Sequence, residues 1–155
     1  GRTGSNMLPE TVLKLANTFD NIIGVKEAAG DMVQMMRLIK DRPEGFLVIS
    51  GDDVLALPTV TAGGDGVISV LAQGVPAIFS LMIKEGLHEN YTEAYKKHYT
   101  LMPAADLIFA EGNPAGIKAL LDQKHICKEV LRLPLVAATS TLQENIATYL
   151  SETGL

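Results

Sequence analysis

The chain lacks the residues and runs that define several protein classes. It has no tryptophan, one cysteine, and only 5% aromatic residues. A single cysteine, Cys127, excludes an intrachain disulfide and a thiolate metal cage, and it favours a reducing compartment, so the cytoplasm is the simplest location. No stretch approaches the roughly 18 consecutive apolar residues that a membrane span needs, and residues 1–6 lack a hydrophobic signal core. The sequence therefore predicts neither a membrane protein nor an exported one.

Basic clusters are also missing. The 13 basic residues against 18 acidic ones give a formal net charge of −5. Because no stretch concentrates lysine and arginine, we expect no nucleic-acid and no membrane partner. The three histidines have no metal-ligand spacing, so no metal site is predicted, and His98 falls on an apolar helix face where a packed core residue is expected. With 47% hydrophobic residues over 155 positions, the chain predicts a folded domain that meets small molecules or proteins.

The first half of the chain alternates short β-branched runs with segments of helical spacing. This alternation is typical of strand-helix units with parallel strands. The predicted strands are residues 22–26, 46–50 and 66–70, each apolar enough to be buried on both faces. A helix is predicted after Pro9, another after the N-cap Asp31 with Met32, Met35 and Met36 filling the core, and a third after Pro76. Pro58 must lie near the first turns of the middle helix or kink it.

After Gly86 only helical signals remain. A helix that Pro103 is expected to kink comes first, and Asn113 followed by Pro114 predicts a cap and a first-turn proline. Thr141 and Glu144 have the spacing of a capping box for a last helix. We therefore divide the chain into an α/β part, residues 1–88, and a C-terminal helical extension, residues 89–155.

Three parallel strands are too few to form a closed barrel. As an open sheet they would leave two apolar edges, so further strands or a partner are expected to cover them. The chain also starts at Gly1, without an initiator methionine and within a loop-like sequence. We therefore expect it to be a piece of a longer protein.

Lys26 is the residue with the strongest chemical implication. It ends an otherwise apolar strand, and the carboxyl ends of parallel strands are where ligands bind in α/β folds. A lysine amine that loses solvent at such a place is a nucleophile toward a carbonyl, so Schiff-base chemistry is one interpretation. The other is a lysine whose stem is buried while its amine reaches solvent. The pattern alone leaves both open.

Other polar residues follow the predicted strands. Asp52 and Asp53 directly follow Gly51, and we interpret them as helix-capping residues rather than a metal or acid-base pair, because adjacent side chains diverge. The backbone around Ile68 is expected to face the same site as Lys26. Arg2 is either a fork for a substrate carboxylate or a solvated surface residue.

Several motifs, taken in order, resemble the dihydrodipicolinate synthase family of pyruvate-dependent class I aldolases, which includes N-acetylneuraminate lyase. The motifs are Gly1-Arg2-Thr3-Gly4, Leu8-Pro9-Glu10-Thr11, Ile23-Gly24-Val25-Lys26-Glu27-Ala28, Ser50-Gly51-Asp52-Asp53, Gly66-Val67-Ile68-Ser69-Val70, Asn113-Pro114 and Leu131-Arg132-Leu133-Pro134. The resemblance covers essentially the whole chain. It implies a partial TIM (β/α)8 barrel, about strands six to eight with their helices, plus the helical extension.

The resemblance also implies an activity and a site. Lys26 would form an imine with pyruvate without any cofactor, and the product of condensation with aspartate semialdehyde would enter lysine and diaminopimelate synthesis. Arg2 matches the residue that receives the semialdehyde carboxylate, Gly51 a glycine at the entrance, and Ile68 a residue whose backbone lies at the pyruvate site. The family's N-terminal half, with its pyruvate-binding loop and tyrosines, is absent from this sequence. Full-length members commonly form tetramers, so a homo-oligomer is implied.

Two alternatives stay open at this point. One is a sibling lyase of the sialic-acid or sugar-acid type, which would use the same imine, although the Gly-Arg-Thr motif around Arg2 favours the synthase. The other is a non-catalytic fragment whose exposed strand edges cause self-association.

Overall fold

The computed structural model describes residues 3–155, so Arg2 lies outside the described residues. Strands and helices alternate first, and helices alone follow. The elements in chain order are α1 (Pro9–Thr18), β1 (Gly24–Glu27), α2 (Met32–Asp41), β2 (Leu47–Ser50), α3 (Ala56–Thr61), β3 (Gly66–Val67), a 3-10 turn (Leu71–Gln73), α4 (Pro76–Leu87), α5 (Tyr91–Ala110), α6 (Ala115–Gln123) and α7 (Ser140–Thr153).

The three strands form one parallel sheet in the order β1-β2-β3. Lys26 is paired with Ile49, and Ser50 with Val67. Because a helix connects each strand to the next, the strands can run parallel and lie side by side. The positions of all three predicted strands are confirmed, although β3 has only two residues.

The expectation that the strands are buried on both faces is wrong. Val48 is completely buried, whereas the preceding Leu47 is 39% exposed. Since side chains alternate along a strand, one face of the sheet is covered and the other is open. The covered face packs on α1 and α2 in a core of Val12, Met35, Leu38, Phe46 and Val48. The open face would need further strands to cover it.

Helix α2 begins as the sequence predicts. The side chain of Asp31 accepts hydrogen bonds from the backbone N–H groups of Val33 and Gln34, at 2.8 and 3.2 Å. Of the three methionines, Met35 is buried and Met32 partly buried, but Met36 is 47% exposed, so its predicted place in the core is wrong. Leu38 fills the core in its place, because Leu38 lies one turn after Met35 on the buried side of the helix.

The described chain forms two compact units. The first extends to Ser69 and includes Ile83–Tyr91, and the second comprises Val70–Met82 and Thr92–Leu155. The regular elements of the second unit are all helices, and Leu101, Ile108, Ile117, Leu120 and Ile146 are almost fully buried. Helix α5 continues through Pro103 as one α-helix. No helix within residues 3–155 combines the length and apolar content needed to cross a membrane.

Two predicted helix starts in the second unit need correction. The N-cap of α7 is Thr139, whose hydroxyl accepts from Leu142 N at 3.3 Å, so the capping box of Thr141 and Glu144 is wrong. The helix starts at this position because of a contact with a residue distant in sequence. The carboxylate of Glu111 accepts both the N–H and the hydroxyl of Thr139 and fixes the turn there. Helix α6 begins at Ala115, with Pro114 as its N-cap rather than in its first turn.

His98 is a packed core residue, as predicted. It is only 5% exposed and meets Tyr95 edge-on, with ring centroids 5.7 Å apart. Burial lowers the pKa of His98, because the cationic imidazolium loses solvation.

Candidate functional site

Three of the four candidate residues lie at the carboxyl ends of the three strands. Lys26 is the third residue of β1, Gly51 follows β2, and Ile68 follows β3. The parallel hydrogen-bond ladder continues past the strands, since Gly51 N donates to Glu27 O at 2.7 Å and Ile68 N donates to Ser50 O at 2.8 Å. These backbone bonds hold the three positions at one edge of the sheet, where α/β folds bind ligands. Arg2 lies outside the described residues.

The side chain of Lys26 lies against Gly51. A Cβ atom added at Gly51 would lie 2.8 Å from Lys26 Cε, 3.1 Å from Lys26 Cγ and 2.7 Å from the Cβ of Ala28. The two distances below 3.0 Å are shorter than carbon atoms tolerate, so a side chain at position 51 would force Ala28 or the lysine stem to shift. The absence of a side chain at Gly51 therefore leaves space for the stem of Lys26, which the sequence alone does not show.

Lys26 is exposed on the open face of the sheet. Its Cα partner Ile49 shares that face, and Ile68 at the same edge is 52% exposed. The arrangement presents a primary amine, held along its stem, to whatever occupies the open face. Chemically, such an amine can add to a carbonyl carbon.

The two adjacent aspartates diverge, as the sequence predicts. Asp52 accepts from the N–H groups of Val54 and Leu55, both at 2.9 Å, and so closes the turn that precedes α3. Asp53 is buried and accepts a hydrogen bond from the hydroxyl of Ser69. The helix-capping interpretation of both aspartates is wrong, because a turn intervenes and α3 begins only at Ala56, with Leu55 as its N-cap and no side-chain cap.

Gly64 and Asp65 lie at the amino end of β3, opposite the candidate site. Asp65 accepts from Val48 N at 2.7 Å and from the guanidinium of Arg42, which also donates to Gly63 O at 3.1 Å. This glycine-rich stretch forms a turn that leads from α3 into β3. A cavity of about 380 Å³, lined by residues that include Ile22 and Phe46, also lies at the amino ends of the strands and so apart from Lys26.

Sequence reasoning missed Glu27 and Gln34. Glu27 directly follows Lys26, yet it is buried at 7% exposure, and Gln34 of α2 is buried at 5%. Gln34 Nε2 donates to Glu27 Oε2 at 2.8 Å. A carboxylate after a strand-end lysine could have been noticed, but its partner on the next helix leaves no local signal.

Within residues 3–155, no three histidine, cysteine, aspartate or glutamate side chains come together in a way that could hold a metal ion.

Comparison with known proteins places this arrangement in context. The Dihydrodipicolinate synthetase family matches residues 1–153. The 4-hydroxy-tetrahydrodipicolinate synthase of Flavobacterium psychrophilum is 52% identical over 146 residues, which are 94% of this chain and 50% of that protein. The synthase of Phocaeicola vulgatus is 43% identical over 152 residues, 98% of this chain and 51% of that protein. The chain spans about half the length of these curated relatives.

Solved structures agree in fold. A monomeric dihydrodipicolinate synthase variant superposes with a TM-score of 0.95 at 35% identity, covering 100% of this chain and 53% of that one. The dihydrodipicolinate synthase of Thermotoga maritima also gives 0.95 at 35% identity, covering 98% of this chain and 52% of that one. The predicted fold class, a piece of a TIM barrel with C-terminal helices, is confirmed.

Proposed function

The chain belongs to the dihydrodipicolinate synthetase family, and from that premise we propose that it carries the reactive lysine of a 4-hydroxy-tetrahydrodipicolinate synthase. The substrates are pyruvate and L-aspartate 4-semialdehyde, and the product leads to diaminopimelate and lysine. The observation that carries the proposal is Lys26 at a strand end, with its stem against Gly51. Because the chain spans about half of its relatives, we expect full turnover to need the remaining half.

In the proposed reaction, the neutral amine of Lys26 attacks the ketone carbon of pyruvate. The carbinolamine loses water and becomes an imine, which withdraws electrons from the adjacent methyl group. Loss of a methyl proton gives an enamine, whose carbon attacks the aldehyde of the second substrate. The amino group of the semialdehyde then adds to the imine carbon, and expulsion of the Lys26 amine from that carbon closes the heterocycle. The imine provides the electron sink, so the proposal includes no cofactor and no metal.

We base the roles of the other site residues on the family resemblance. Arg2 would hold the semialdehyde carboxylate in a two-pronged hydrogen bond, which a guanidinium makes better than an ammonium. Gly51 would leave space for the lysine stem at the entrance. Ile68 would contribute backbone groups at the pyruvate site. Residues 1–88 would then form the barrel portion that carries the chemistry, and residues 89–155 the extension.

The same family membership leads us to propose a homo-oligomer in the cytoplasm for the full-length protein. A competing hypothesis is that the isolated chain is a non-catalytic fragment that self-associates. The open face of the sheet favours this competitor, since Leu47 on that face is 39% exposed. The two hypotheses differ in whether Lys26 reacts.

The test is to treat the chain with pyruvate and borohydride, which reduces an imine to a stable secondary amine, and to map the adduct by peptide mass spectrometry. We expect an adduct on Lys26 that is lost in Lys26→Arg and retained in Lys14→Arg, a matched change at an exposed lysine of α1. A second arm adds the N-terminal half of a relative, because that half is expected to cover the open face.

Absence of an adduct on Lys26 in both arms would refute the proposal. Large particles in light scattering together with that absence would support the self-associating fragment. In the reconstituted enzyme, Arg2→Ala should abolish the reaction with aspartate semialdehyde while leaving the pyruvate adduct. If Arg2→Ala leaves that reaction intact, the role proposed for Arg2 is wrong. A reconstituted wild-type enzyme that uses another aldehyde in place of aspartate semialdehyde would instead support a sibling lyase.

A further inference from the structure

Behind Lys26, three polar side chains form a continuous hydrogen-bonded chain across the first unit. Glu27 Oε1 accepts from Ala29 N at 2.7 Å, and Glu27 Oε2 accepts from Gln34 Nε2 at 2.8 Å. The amide of Gln34 also forms a reciprocal pair with Asn6, with Asn6 Nδ2 donating to Gln34 Oε1 at 2.9 Å and Gln34 Nε2 donating to Asn6 Oδ1 at 3.0 Å. Gln34 thus links the end of β1 to the segment that precedes α1.

Two of these three side chains, Glu27 and Gln34, are buried, which makes the bond between them costly to lose. Glu27 is 7% exposed and Gln34 is 5% exposed. A buried carboxylate that loses a donor bears a desolvation penalty that an exposed one does not. Without Gln34, Glu27 would keep the Ala29 N–H, which lies only two residues away along the same backbone. The strand end would then lose its tie to α2 and to Asn6.

The hydrogen bonds from Glu27 through Gln34 to Asn6 connect two parts of the proposed site. Glu27 adjoins Lys26 but points to the covered face of the sheet, so it acts on the lysine through the backbone. Asn6 lies four residues after Arg2 in the sequence. We propose that Gln34 is a positioning residue that fixes the strand end carrying Lys26 relative to the segment carrying Arg2. This inference rests on the proposed function, because it assigns a purpose to a spacing between the two proposed substrate-binding residues.

Two consequences follow for reactivity. Loss of the Gln34 amide removes the hydrogen bonds to both Glu27 and Asn6. The attack geometry of Lys26 then loosens, so the lysine should form its imine about tenfold more slowly. Loss of Asn6 keeps the bond between Gln34 and Glu27 and releases only the segment that precedes α1. Asn6→Ala should therefore change imine formation by less than about twofold, a difference of a few tenths of a kcal/mol.

The experiment compares Gln34→Met, Gln34→Glu and Asn6→Ala in the full chain. Gln34→Met keeps the volume but removes the amide. A matched control is Gln123→Met, because Gln123 Nε2 donates to a backbone carbonyl, that of Gln143, at 2.6 Å in the second unit. The measurements are the rate of borohydride-trapped adduct on Lys26 and, by NMR, the exchange of the side-chain NH2 protons at positions 6 and 34.

Gln34→Glu supplies a readout that a space-filling role would not change. The titratable groups facing position 34 are Glu27 of β1 and Asp31 at the cap of its own helix, and the Asn6 segment contributes an amide. At alkaline pH the new carboxylate repels Glu27, whereas at acid pH its protonated form can donate to Glu27 and restore the link. We expect the adduct rate of this variant, relative to wild type, to recover as the pH falls.

The outcomes separate this inference from the proposed function. The inference is supported if the wild-type NH2 protons at positions 6 and 34 exchange slowly, if Gln34→Met removes the protection at position 6, and if Gln34→Met slows adduct formation while Gln123→Met does not. Fast exchange in the wild type, or an unchanged adduct rate in Gln34→Met, overturns it. A wild-type chain without adduct in either arm counts against the proposed function. The NH2 exchange then still decides whether the link between strand end and segment exists.

Discussion

The two compact units use carboxylates in different ways. In the first unit, Glu27 lies behind a lysine that faces an open sheet surface, and its hydrogen bonds hold the strand end. In the second unit, Glu111 accepts two hydrogen bonds from Thr139 at the start of α7, and Glu129 accepts from Ala138 N at 2.6 Å and Gln143 Nε2 at 2.7 Å. Carboxylates in the second unit thus fix a helix start and its preceding loop. The comparison predicts that substitutions in the second unit change stability alone, whereas those at the strand ends of the first change chemistry.

The largest effect is expected at Gly51. In Gly51→Ala the new Cβ would meet Ala28 Cβ at 2.7 Å and Lys26 Cε at 2.8 Å, so the lysine must move. We expect the trapped pyruvate adduct to form at least about tenfold more slowly, with a loss of unfolding free energy of about 1–3 kcal/mol. Borohydride trapping and urea unfolding measure the two effects.

The matched control for that change is Gly64→Ala at the other end of the sheet. Its Cβ would lie 2.5 Å from Thr59 Cγ2 and 2.9 Å from Thr59 O, a comparable overlap. It should lower stability to a similar degree and leave the adduct rate per folded molecule unchanged. Equal rate losses in both variants would show that the Lys26 contact has no special importance.

A smaller effect is expected at the amino ends of the strands. Arg42 and Asp65 form an ion pair with side chains 24% and 30% exposed, and Arg42 also binds Gly63 O. Arg42→Met should lower the unfolding free energy by about 1–2 kcal/mol, since the pair is partly buried and its bonds are charge-assisted. The urea midpoint measures this loss.

Lys40→Met serves as the comparison for Arg42. Lys40 pairs with Asp41 but its side chain is 79% exposed, so its removal should cost less than about 0.5 kcal/mol. Neither variant should slow adduct formation. A slowed adduct in Arg42→Met would contradict the separation between the two ends of the sheet.

The third prediction tests the cap of α7 in the second unit. Thr139→Ala removes the hydroxyl that accepts from Leu142 N and should cost about 1 kcal/mol of unfolding free energy. Thr141→Ala, at the position that the sequence favours for a cap, should have little effect because Thr141 lies inside the helix and is exposed. Thermal or urea unfolding distinguishes the two, and a larger loss in Thr141→Ala would reverse the assignment.

The smallest effect is a pH dependence from His98. Burial lowers the pKa of this imidazole below its ordinary value of 6.5, so the unfolded chain binds a proton more readily than the folded one. The contribution of neutral His98 to the free energy of unfolding is therefore fully present above about pH 6.5, the ordinary pKa of histidine. It is lost as the pH falls toward the lower pKa of the folded state.

Unfolding in urea at several pH values checks this sign. His98→Phe, which keeps an aromatic ring beside Tyr95, should flatten the dependence relative to wild type. His88→Gln, at an exposed position, should leave it unchanged. A wild-type chain whose stability does not fall more than that of His98→Phe on acidification would contradict the prediction.

Local patterns predicted much of this fold. The strand positions, the Asp31 cap and the start of α4 at Pro76 follow from spacing and capping rules that act within a few residues. The choice of Thr139 over Thr141 could not be predicted, because Glu111 decides it from 28 residues away. The exposure of Leu47 also escaped prediction, since burial on both faces depends on strands that are not among the described ones.

The candidate site was predictable to a lesser degree. The position of Lys26 at a strand end follows from the sequence pattern, but its chemical role comes from the family resemblance. The link from Glu27 through Gln34 to Asn6 had no sequence signal, because it joins three segments and Asn6 lies 28 residues from Gln34. Whether Arg2 approaches Lys26 stays a prediction.

The ladder bonds that continue beyond the strands have a consequence for sequence divergence. Gly51 N and Ile68 N are held by the carbonyls of Glu27 and Ser50, so the main chain at these positions is fixed by atoms that every residue except proline possesses. Mutational drift at position 68 can therefore exchange one side chain for another without moving the peptide group. Position 51 cannot vary as freely, because a Cβ atom there would overlap Ala28 and the stem of Lys26. Among distant homologues, we expect variety at the first position and near-invariance at the second.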